Sequence, residues 1–176
     1  MNALTSLLGQ IPPAPAYTVL AAAIVAESIL LVGAVVPTLA LMLTAGALAR
    51  TGSMNLLWVI AVAAGAVMVG DALGHRTGHL LGRRLRTGKV GRRIPAAAWQ
   101  RAETLMEKRA GQTLLLFRFV PVMRTLAPHM AGVTGLPYRR IAPYSALASV
   151  AWASVESGAG YTAALSVQHI SAIGGS

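Results

Sequence analysis

Residues 117–132, FRFVPVMRTLAPHMAG, constrain the fold more than any other part of the chain. Arg118, Arg124 and His129 stand there in an otherwise apolar stretch that also contains Pro121 and Pro128. An arginine at membrane depth costs about 2.5–3.5 kcal/mol on insertion scales, and irregular backbone is tolerated there only inside protein or beside a wet cavity. The stretch therefore predicts a broken segment with an anion pocket inside a membrane protein. The alternative is an interfacial helix whose arginines reach the headgroups.

The composition favours a membrane location. Of the 176 residues, 55% are hydrophobic and only 11% are charged, and the mean hydropathy is +0.62. A chain of this length and composition is expected to form one membrane domain. It contains no cysteine, which excludes disulfides and thiolate chemistry.

The positive charge is concentrated in one part of the chain. The net charge is +10, and ten of the fifteen Lys and Arg lie within residues 76–109, between apolar segments. This distribution predicts a basic cytoplasmic loop, residues 83–109, beside anionic lipid. A nucleic-acid partner is not expected, because no aromatic residues are interleaved with the basic ones.

The first half of the chain contains an acid inside an apolar segment. Residues 17–36 are long enough to span a membrane and are interrupted only by Glu27 and Ser28. Glu27 is either a functional group or an acid at the interface or paired with a buried arginine. Pro37 then breaks the helix, and the apolar residues 38–49 are too short to span. A re-entrant segment is therefore expected after Pro37.

Glycines recur at every fourth position within residues 70–82, and polar residues follow one position later. A helix face without side chains lets another backbone pack closely, and one buried titratable acid, Asp71, is expected beside it. Two histidines four residues apart can share a metal ion. The third ligand is uncertain and no general base accompanies them, so neither a metal nor a cofactor is expected. The two series are Gly70, Gly74, Gly78 and Gly82, and Asp71, His75 and His79.

The two halves of the chain show a weak repeat. Pro37 precedes Ala45-Gly46, and Pro121 precedes Ala131-Gly132. Gly74 lies twenty-eight residues after Gly46, and Gly160 lies twenty-eight residues after Gly132. A last apolar span, residues 141–155, contains Trp152, which is expected at an interface or in the pocket wall. Paired broken segments in corresponding positions point to a transport site near the bilayer midplane.

These motifs together resemble a known family. The order is Glu27, Pro37, Ala45-Gly46, Gly70-Asp71, the glycine series, F-R-x-x-P-x-x-R-x3-P-x2-A-G and Trp152. Over residues 20–162 this resembles the DedA family, also called VTT or SNARE-associated membrane proteins. The resemblance implies two re-entrant hairpins that face each other and a role in lipid translocation. It also implies proton coupling through Glu27 and Asp71, and an essential role for Arg118 and Arg124.

Two departures from the family pattern are visible. Many members have Gly-Glu after the first proline, where this chain has Thr38-Leu39. One acid of the usual set is therefore missing, which leaves the proton coupling or its stoichiometry open. His75 also stands where a tyrosine is common.

The fold expected is an all-α membrane protein with transmembrane helices and two re-entrant (broken-helix) hairpins in a pseudo-repeat, with an inverted arrangement left open. An N-terminal arm (1–16), a membrane domain (17–162) and a C-terminal tail (163–176) are expected. Pro37, Pro121, Pro128, His129 and Trp152 are expected as pocket or hinge residues. Arg118 and Arg124 should share one cavity, within salt-bridge reach of Glu27 or Asp71.

The function expected is translocation of undecaprenyl or decaprenyl phosphate across the bacterial cytoplasmic membrane, linked to protons. Planar guanidinium groups suit the phosphate of such a lipid. The alternatives are a phospholipid flippase or scramblase of low selectivity, a membrane phosphatase and a scaffold. The chain is not expected to be an enzyme, because no nucleophile or metal set beyond His129 accompanies the arginines. Membrane lipids, protons and further copies of the chain are the expected partners.

Overall fold

A computed structural model of the chain describes residues 14–30, 38–87 and 96–174. Helices account for most of these residues, and none of them lies in a strand, so the predicted all-α class is confirmed. Pro37, most of the N-terminal arm and residues 88–95 of the basic loop lie outside the described residues. The helices are α1 (Ala14–Leu30), α2 (Thr38–Arg50), α3 (Leu56–Thr87), α4 (Ala96–Phe117), α5 (Pro121–Val133) and α6 (Tyr138–Gly174).

Local sequence explains where several helices begin and end. The side-chain oxygen of Asn55 accepts hydrogen bonds from the backbone N–H groups of Leu57 (2.9 Å) and Trp58 (3.3 Å), which caps α3. Pro121 begins α5, where its fixed φ suits a helix and its missing N–H is not needed. Gly135 ends the same helix with a φ of +75°, a conformation that glycine adopts without a Cβ clash.

One described helix is long and apolar enough to cross a membrane. The stretch Leu56–Gly82 of α3 meets that test by length and composition. Shorter apolar stretches occupy Ala14–Ser28 in α1 and Thr38–Arg50 in α2. At about 1.5 Å per residue, the 13 residues of α2 extend about 20 Å, well short of the roughly 30 Å hydrocarbon layer.

The long α3 is the centre of the packing. It contacts α1, α5 and α6, while α2 packs mainly on α6 and α4 packs on α5 and α6. The larger apolar core lies among α1, α2, α3 and α6 and includes Met42, Val59 and Trp152. A smaller one lies among α4, α5 and α6 around Ala131 and Ile141. The polar residues described below lie between these two cores.

Backbones of α2 and α6 touch at two glycines. A Cβ atom on Gly46 would overlap the carbonyl oxygen of Ser157, and a Cβ on Gly160 would overlap the carbonyl oxygen of Leu43. On each helix the glycine and the carbonyl-bearing residue are three positions apart. Only glycine allows backbones to approach this closely, so the two residues fix the contact between α2 and α6.

The contact between α3 and α5 follows the same atomic pattern. A Cβ on Gly132 would overlap the carbonyl oxygen of His75, and a Cβ on Gly78 would overlap the carbonyl oxygen of His129. The predicted close packing of the glycine face is therefore confirmed. Gly160 corresponds to Gly78 in these contacts, whereas the sequence spacing had matched it with Gly74, one helical turn earlier.

Large apolar side chains also point outward from several helices. Leu57 and Leu80 of α3 are 76% and 73% exposed, Leu116 of α4 is 71% exposed and Leu147 of α6 is 62% exposed. Soluble monomers rarely expose extended apolar surface of this kind. A lipid environment would cover these side chains, in agreement with the composition.

Three boundaries differ from the sequence prediction. Helix α1 begins at Ala14, inside the predicted arm, and α3 continues to Thr87, inside the predicted basic loop. Helix α4 joins the expected interfacial helix to residues 114–117 through a kink, where Arg109 has φ −141° and ψ 30°. The spacing of apolar residues alone predicts helix ends poorly, because a helix can continue through polar residues that favour helix formation.

Pro128 does not break its segment, contrary to the prediction. It lies inside α5 and is buried. Proline removes one helical hydrogen bond and leaves the carbonyl four residues earlier, that of Arg124, without its usual partner. Packing of α5 on α3 and the close contact at Gly132 hold the helix in spite of this loss.

Candidate functional site

Arg118 lies in the short turn that joins α4 to α5 and points into the protein. Its Nη1 donates hydrogen bonds to both carboxylate oxygens of Asp71, at 3.0 and 3.2 Å. The hydroxyl of Ser145 on α6 donates to the second of these oxygens. The Arg118 and Asp71 side chains are only 7% and 4% exposed. This is a buried ion pair whose acid has a partner on each oxygen.

Arg124 lies one turn into α5 and forms a second ion pair. Its Nε donates to Oε1 of Glu27 on α1 at 3.2 Å, and its Nη2 donates to the same oxygen. The Nη2 group also donates to the hydroxyl of Thr38 at 2.7 Å. The first residue of α2 therefore contacts the guanidinium that α5 supplies.

Trp152 on α6 lies beside both guanidinium groups. The ring centroid is 5.7 Å from Cζ of Arg118 and 5.3 Å from Cζ of Arg124, within the range of a cation–π attraction. Its indole Nε1 donates to Oε1 of Glu156 at 2.6 Å. The same Glu156 oxygen is 3.9 Å from Nη1 of Arg124. Trp152 thus forms the pocket wall, one of the two positions expected for it.

The two arginines line one small cavity. Its volume is about 20 Å³, which holds about one water molecule. The predicted geometry is therefore confirmed: both arginines face one cavity and each is paired with an acid, so neither reaches out toward headgroups. The lining residues are Ile24, Glu27, Ser28, Val67, Arg118, Arg124, Thr125 and Trp152.

The charges of this cluster nearly balance. Two guanidinium groups face three carboxyl groups, those of Glu27, Asp71 and Glu156. Removing charges from water carries a penalty of several kcal/mol per ion, which close pairing and additional hydrogen bonds offset. Each guanidinium group is therefore already bound by a carboxylate, and a further anion could bind there only by displacing that carboxylate.

The histidines lie outside the cluster. His129 is buried with its ring against Gly74, and its Nδ1 is 2.8 Å from the carbonyl oxygen of Thr125. Its Nε2 has no hydrogen-bond partner in the described part of the chain. His75 is 2.7 Å from the carbonyl oxygen of Leu136 through Nε2, while His79 is exposed. His129 therefore packs between α5 and α3, and no contact joins it to either arginine.

Three members of the cluster were not among the predicted site residues. Ser145 carried no signal, because single hydroxyl residues in apolar helices are common and usually bond to their own backbone. Thr38 was noted only because it stands, with Leu39, where many family members have Gly-Glu. Glu156 stood out only as an acid near the glycines of the last helix. Its spacing of four residues from Trp152 places the two on one helix face, which was the available clue. Pro37 cannot be placed, since it lies outside the described residues.

Comparison with known proteins identifies the family. A family model of the VTT domain matches residues 36–162. Protein DedA of Escherichia coli K12 is 31% identical over 147 residues, 82% of this chain and 67% of that protein. Inner membrane protein YghB of the same organism is 34% identical over 145 residues, with 82% and 66% covered.

Inner membrane protein YqjA of E. coli K12 is 29% identical over 145 residues, with 82% of this chain and 66% of that protein covered. The chain thus spans about two thirds of the length of these relatives. No solved structure matches it. Because the domain match covers most of the chain and similar proteins are named inner membrane proteins, the chain belongs to the DedA family of VTT-domain membrane proteins.

Proposed function

We propose that the chain translocates a polyprenyl phosphate, undecaprenyl or decaprenyl phosphate, across the bacterial cytoplasmic membrane in a proton-linked cycle. The observation that carries this proposal is the pair of guanidinium groups, those of the buried Arg118 and the partly buried Arg124, that face one cavity between apolar helices. Guanidinium groups bind two phosphate oxygens at once. A phosphate headgroup attached to an apolar chain is the ligand that suits such a site inside a membrane.

In this geometry the arginine donors face carboxylates. Asp71 and Glu27 occupy the donors that a phosphate would use, and the cavity holds about one water molecule. A phosphate must therefore displace carboxylates and open the cluster. Protonation of those acids weakens their hold on the arginines, which supplies a physical link between proton binding and lipid binding.

Helices α2 and α5 are proposed to form re-entrant hairpins of a multi-pass protein. Each has 13 residues, or about 20 Å, and each follows a proline or begins with one. The matching glycine contacts, α2 on α6 and α5 on α3, support a pseudo-repeat in which each hairpin packs on the long helix of the other half. An inverted repeat would place both hairpins at the site from opposite sides of the membrane.

Replacing Arg118 with lysine tests the phosphate site. Lysine keeps the charge but loses the planar fork, so binding of undecaprenyl phosphate to the purified protein should weaken by about 1–3 kcal/mol. Arg140→Lys, on an exposed arginine of α6, is the matched control and should bind as the wild type does. Normal binding by Arg118→Lys would refute a phosphate site at this arginine.

Replacing Asp71 with asparagine tests the proton link. The change removes a titratable group at nearly constant volume and imitates the protonated acid. Lipid binding should persist or tighten, while transport into proteoliposomes loses part of its pH dependence. If Asp71→Asn transports lipid with the same pH profile as the wild type, Asp71 does not take part in the coupling.

The same assays separate the rival functions. If phosphatidylglycerol vesicles compete for binding as strongly as undecaprenyl phosphate does, the protein is a phospholipid scramblase of low selectivity. Release of inorganic phosphate from the bound lipid would indicate a phosphatase, and we expect none. Absence of any lipid binding would leave a scaffold role.

A further inference from the structure

Glu156 is the third acid of a cluster that has two cations. Asp71 is bound on both oxygens by Arg118 and Ser145, and Glu27 is bound twice by Arg124. Glu156 is held less firmly. Its Oε1 is 3.9 Å from Arg124, beyond hydrogen-bond length, and its Oε2 is buried without a hydrogen-bond partner in the described residues.

We propose that Glu156 is a proton-binding residue whose protonation removes negative charge beside Arg124 and so favours binding of the lipid phosphate. This rests on the proposed function and adds a residue to it. Glu156 takes a proton from bulk water onto Oε2 when the lipid phosphate enters, and it returns that proton to water when the phosphate leaves. The carboxyl group stays bonded to Trp152 throughout.

The charge balance is the first reason. With all three acids ionised the cluster carries one net negative charge, which opposes entry of a phosphate into a site of low dielectric constant. One proton makes the cluster neutral. Glu156 is the acid best able to take it, because its cation contact is the longest of the three and one of its oxygens has no partner.

Accessibility is the second reason. The Glu156 side chain is 15% exposed, against 5% for Glu27 and 4% for Asp71. The Glu156 side chain is thus the most exposed of the three acids, although the Oε2 that takes the proton is itself buried, so proton entry requires a local opening. Its position on α6 also places it one residue before Ser157, whose carbonyl oxygen Gly46 of α2 approaches.

Three charged groups of neighbouring elements act on Glu156. Arg124 on α5, Glu27 on α1 and Arg118 in the α4–α5 turn are the groups that act on it electrostatically. The charged residue of α2 nearest to α6 is Arg50, which lies 5.6 Å from the ring centroid of Tyr161. The acid of α3, Asp71, is held by Arg118.

Trp152 provides a measurement that needs no lipid. Its indole N–H donates to Glu156, so its ¹H–¹⁵N resonance should move with pH as the carboxyl group titrates. In a Trp58→Phe, Trp99→Phe background only this indole remains. We expect the resonance to follow a single-proton transition. This transition should be lost in Glu156→Gln and kept in Glu156→Asp. It should also be kept in Glu107→Gln, a control that makes the same substitution on α4. An indole resonance that ignores pH, or that still titrates in Glu156→Gln, would overturn the proposal.

Lipid binding provides the second arm. Undecaprenyl phosphate itself loses a proton near pH 6, as phosphate monoesters do, so the relevant quantity is the difference between variants on the same lipid. Between pH 6 and pH 8 the affinity for undecaprenyl phosphate should fall by a factor that is roughly 5 times larger in the wild type than in Glu156→Gln. This factor is at the low end of the range for two coupled binding sites. Equal losses would overturn the role of Glu156. A titrating Trp152 in a protein that binds no phosphate lipid at any pH would instead refute the proposed function.

Discussion

At the scale of single residues, the pair formed by Arg118 and Asp71 is the most completely buried ion pair of the site. Both side chains are buried, and the two are joined by two hydrogen bonds. A buried pair adds little net stability compared with well-packed apolar residues, but removal of one partner leaves an unpaired charge. Asp71 is thus needed for the fold of the free protein as well as for any role in coupling.

Removal of the acid alone should be costly. Asp71→Ala leaves the Arg118 guanidinium buried without its partner and should lower the free energy of unfolding by about 3–5 kcal/mol. The double variant Asp71→Leu, Arg118→Met removes both charges at similar volume and should recover most of that loss. Thermal unfolding in detergent measures both. Equal unfolding temperatures for Asp71→Ala and the wild type would mean that the pair does not form as described.

At the scale of helices, two glycine contacts set the architecture. Helix α5 approaches α3 at Gly132 and Gly78, and α2 approaches α6 at Gly46 and Gly160. Arg124 on α5 and Thr38 on α2 then lie within hydrogen-bond reach of each other. The position of the cations is therefore determined by residues that have no side chain.

Alanine at these glycines should disturb the packing. In Gly132→Ala and Gly46→Ala the added methyl group would overlap backbone atoms, and the free energy of unfolding should fall by about 1–3 kcal/mol or more. Gly65→Ala is the matched control, since nothing lies within 4 Å of its added Cβ. That variant should be stabilised by roughly 0.5–1 kcal/mol, because alanine is the better helix former. If all three variants unfold alike, the close contacts are absent.

At the scale of the whole molecule, the distribution of basic residues predicts the orientation in the membrane. The concentration of Lys and Arg within residues 76–109 lies at the C-terminal end of α3 and beyond it. A helix that crosses the membrane once places its two ends on opposite sides. The turn before α3, with Ser53 exposed, should then face the periplasm.

Cysteine labelling tests this orientation cleanly, because the chain has no cysteine of its own. A cysteine in place of Lys89 should resist an impermeant maleimide in intact cells and react after lysis, in accord with the positive-inside rule. Ser53→Cys is the paired variant and should react in intact cells. The reverse pattern would invert the topology, and reaction of both in intact cells would mean that α3 does not cross.

Sequence alone determined the class of protein and most of the charged site. Apolar side chains are costly in water, and both charges and broken helix ends are costly in lipid. A helical membrane protein that pairs its charges inside avoids all of these costs. That is why the all-α class, the glycine packing face and the pairing of Arg118 and Arg124 with acids could be predicted. The roles assigned to those residues stay predictions.

Only the tertiary structure decided which acid meets which arginine and which hydroxyls join them. Asp71 meets Arg118 and Glu27 meets Arg124 across separations of 47 and 97 residues, and no periodicity in one chain encodes such distances. Thr38, Ser145 and Glu156 entered the site for the same reason, because helix packing sets which side chains converge. Pro128 stayed inside a helix because contacts with α3 outweigh one lost hydrogen bond. The solvation penalty of a residue depends on its own type and neighbours in sequence, so it can be predicted from the chain. The partners of that residue depend on how the helices pack in three dimensions.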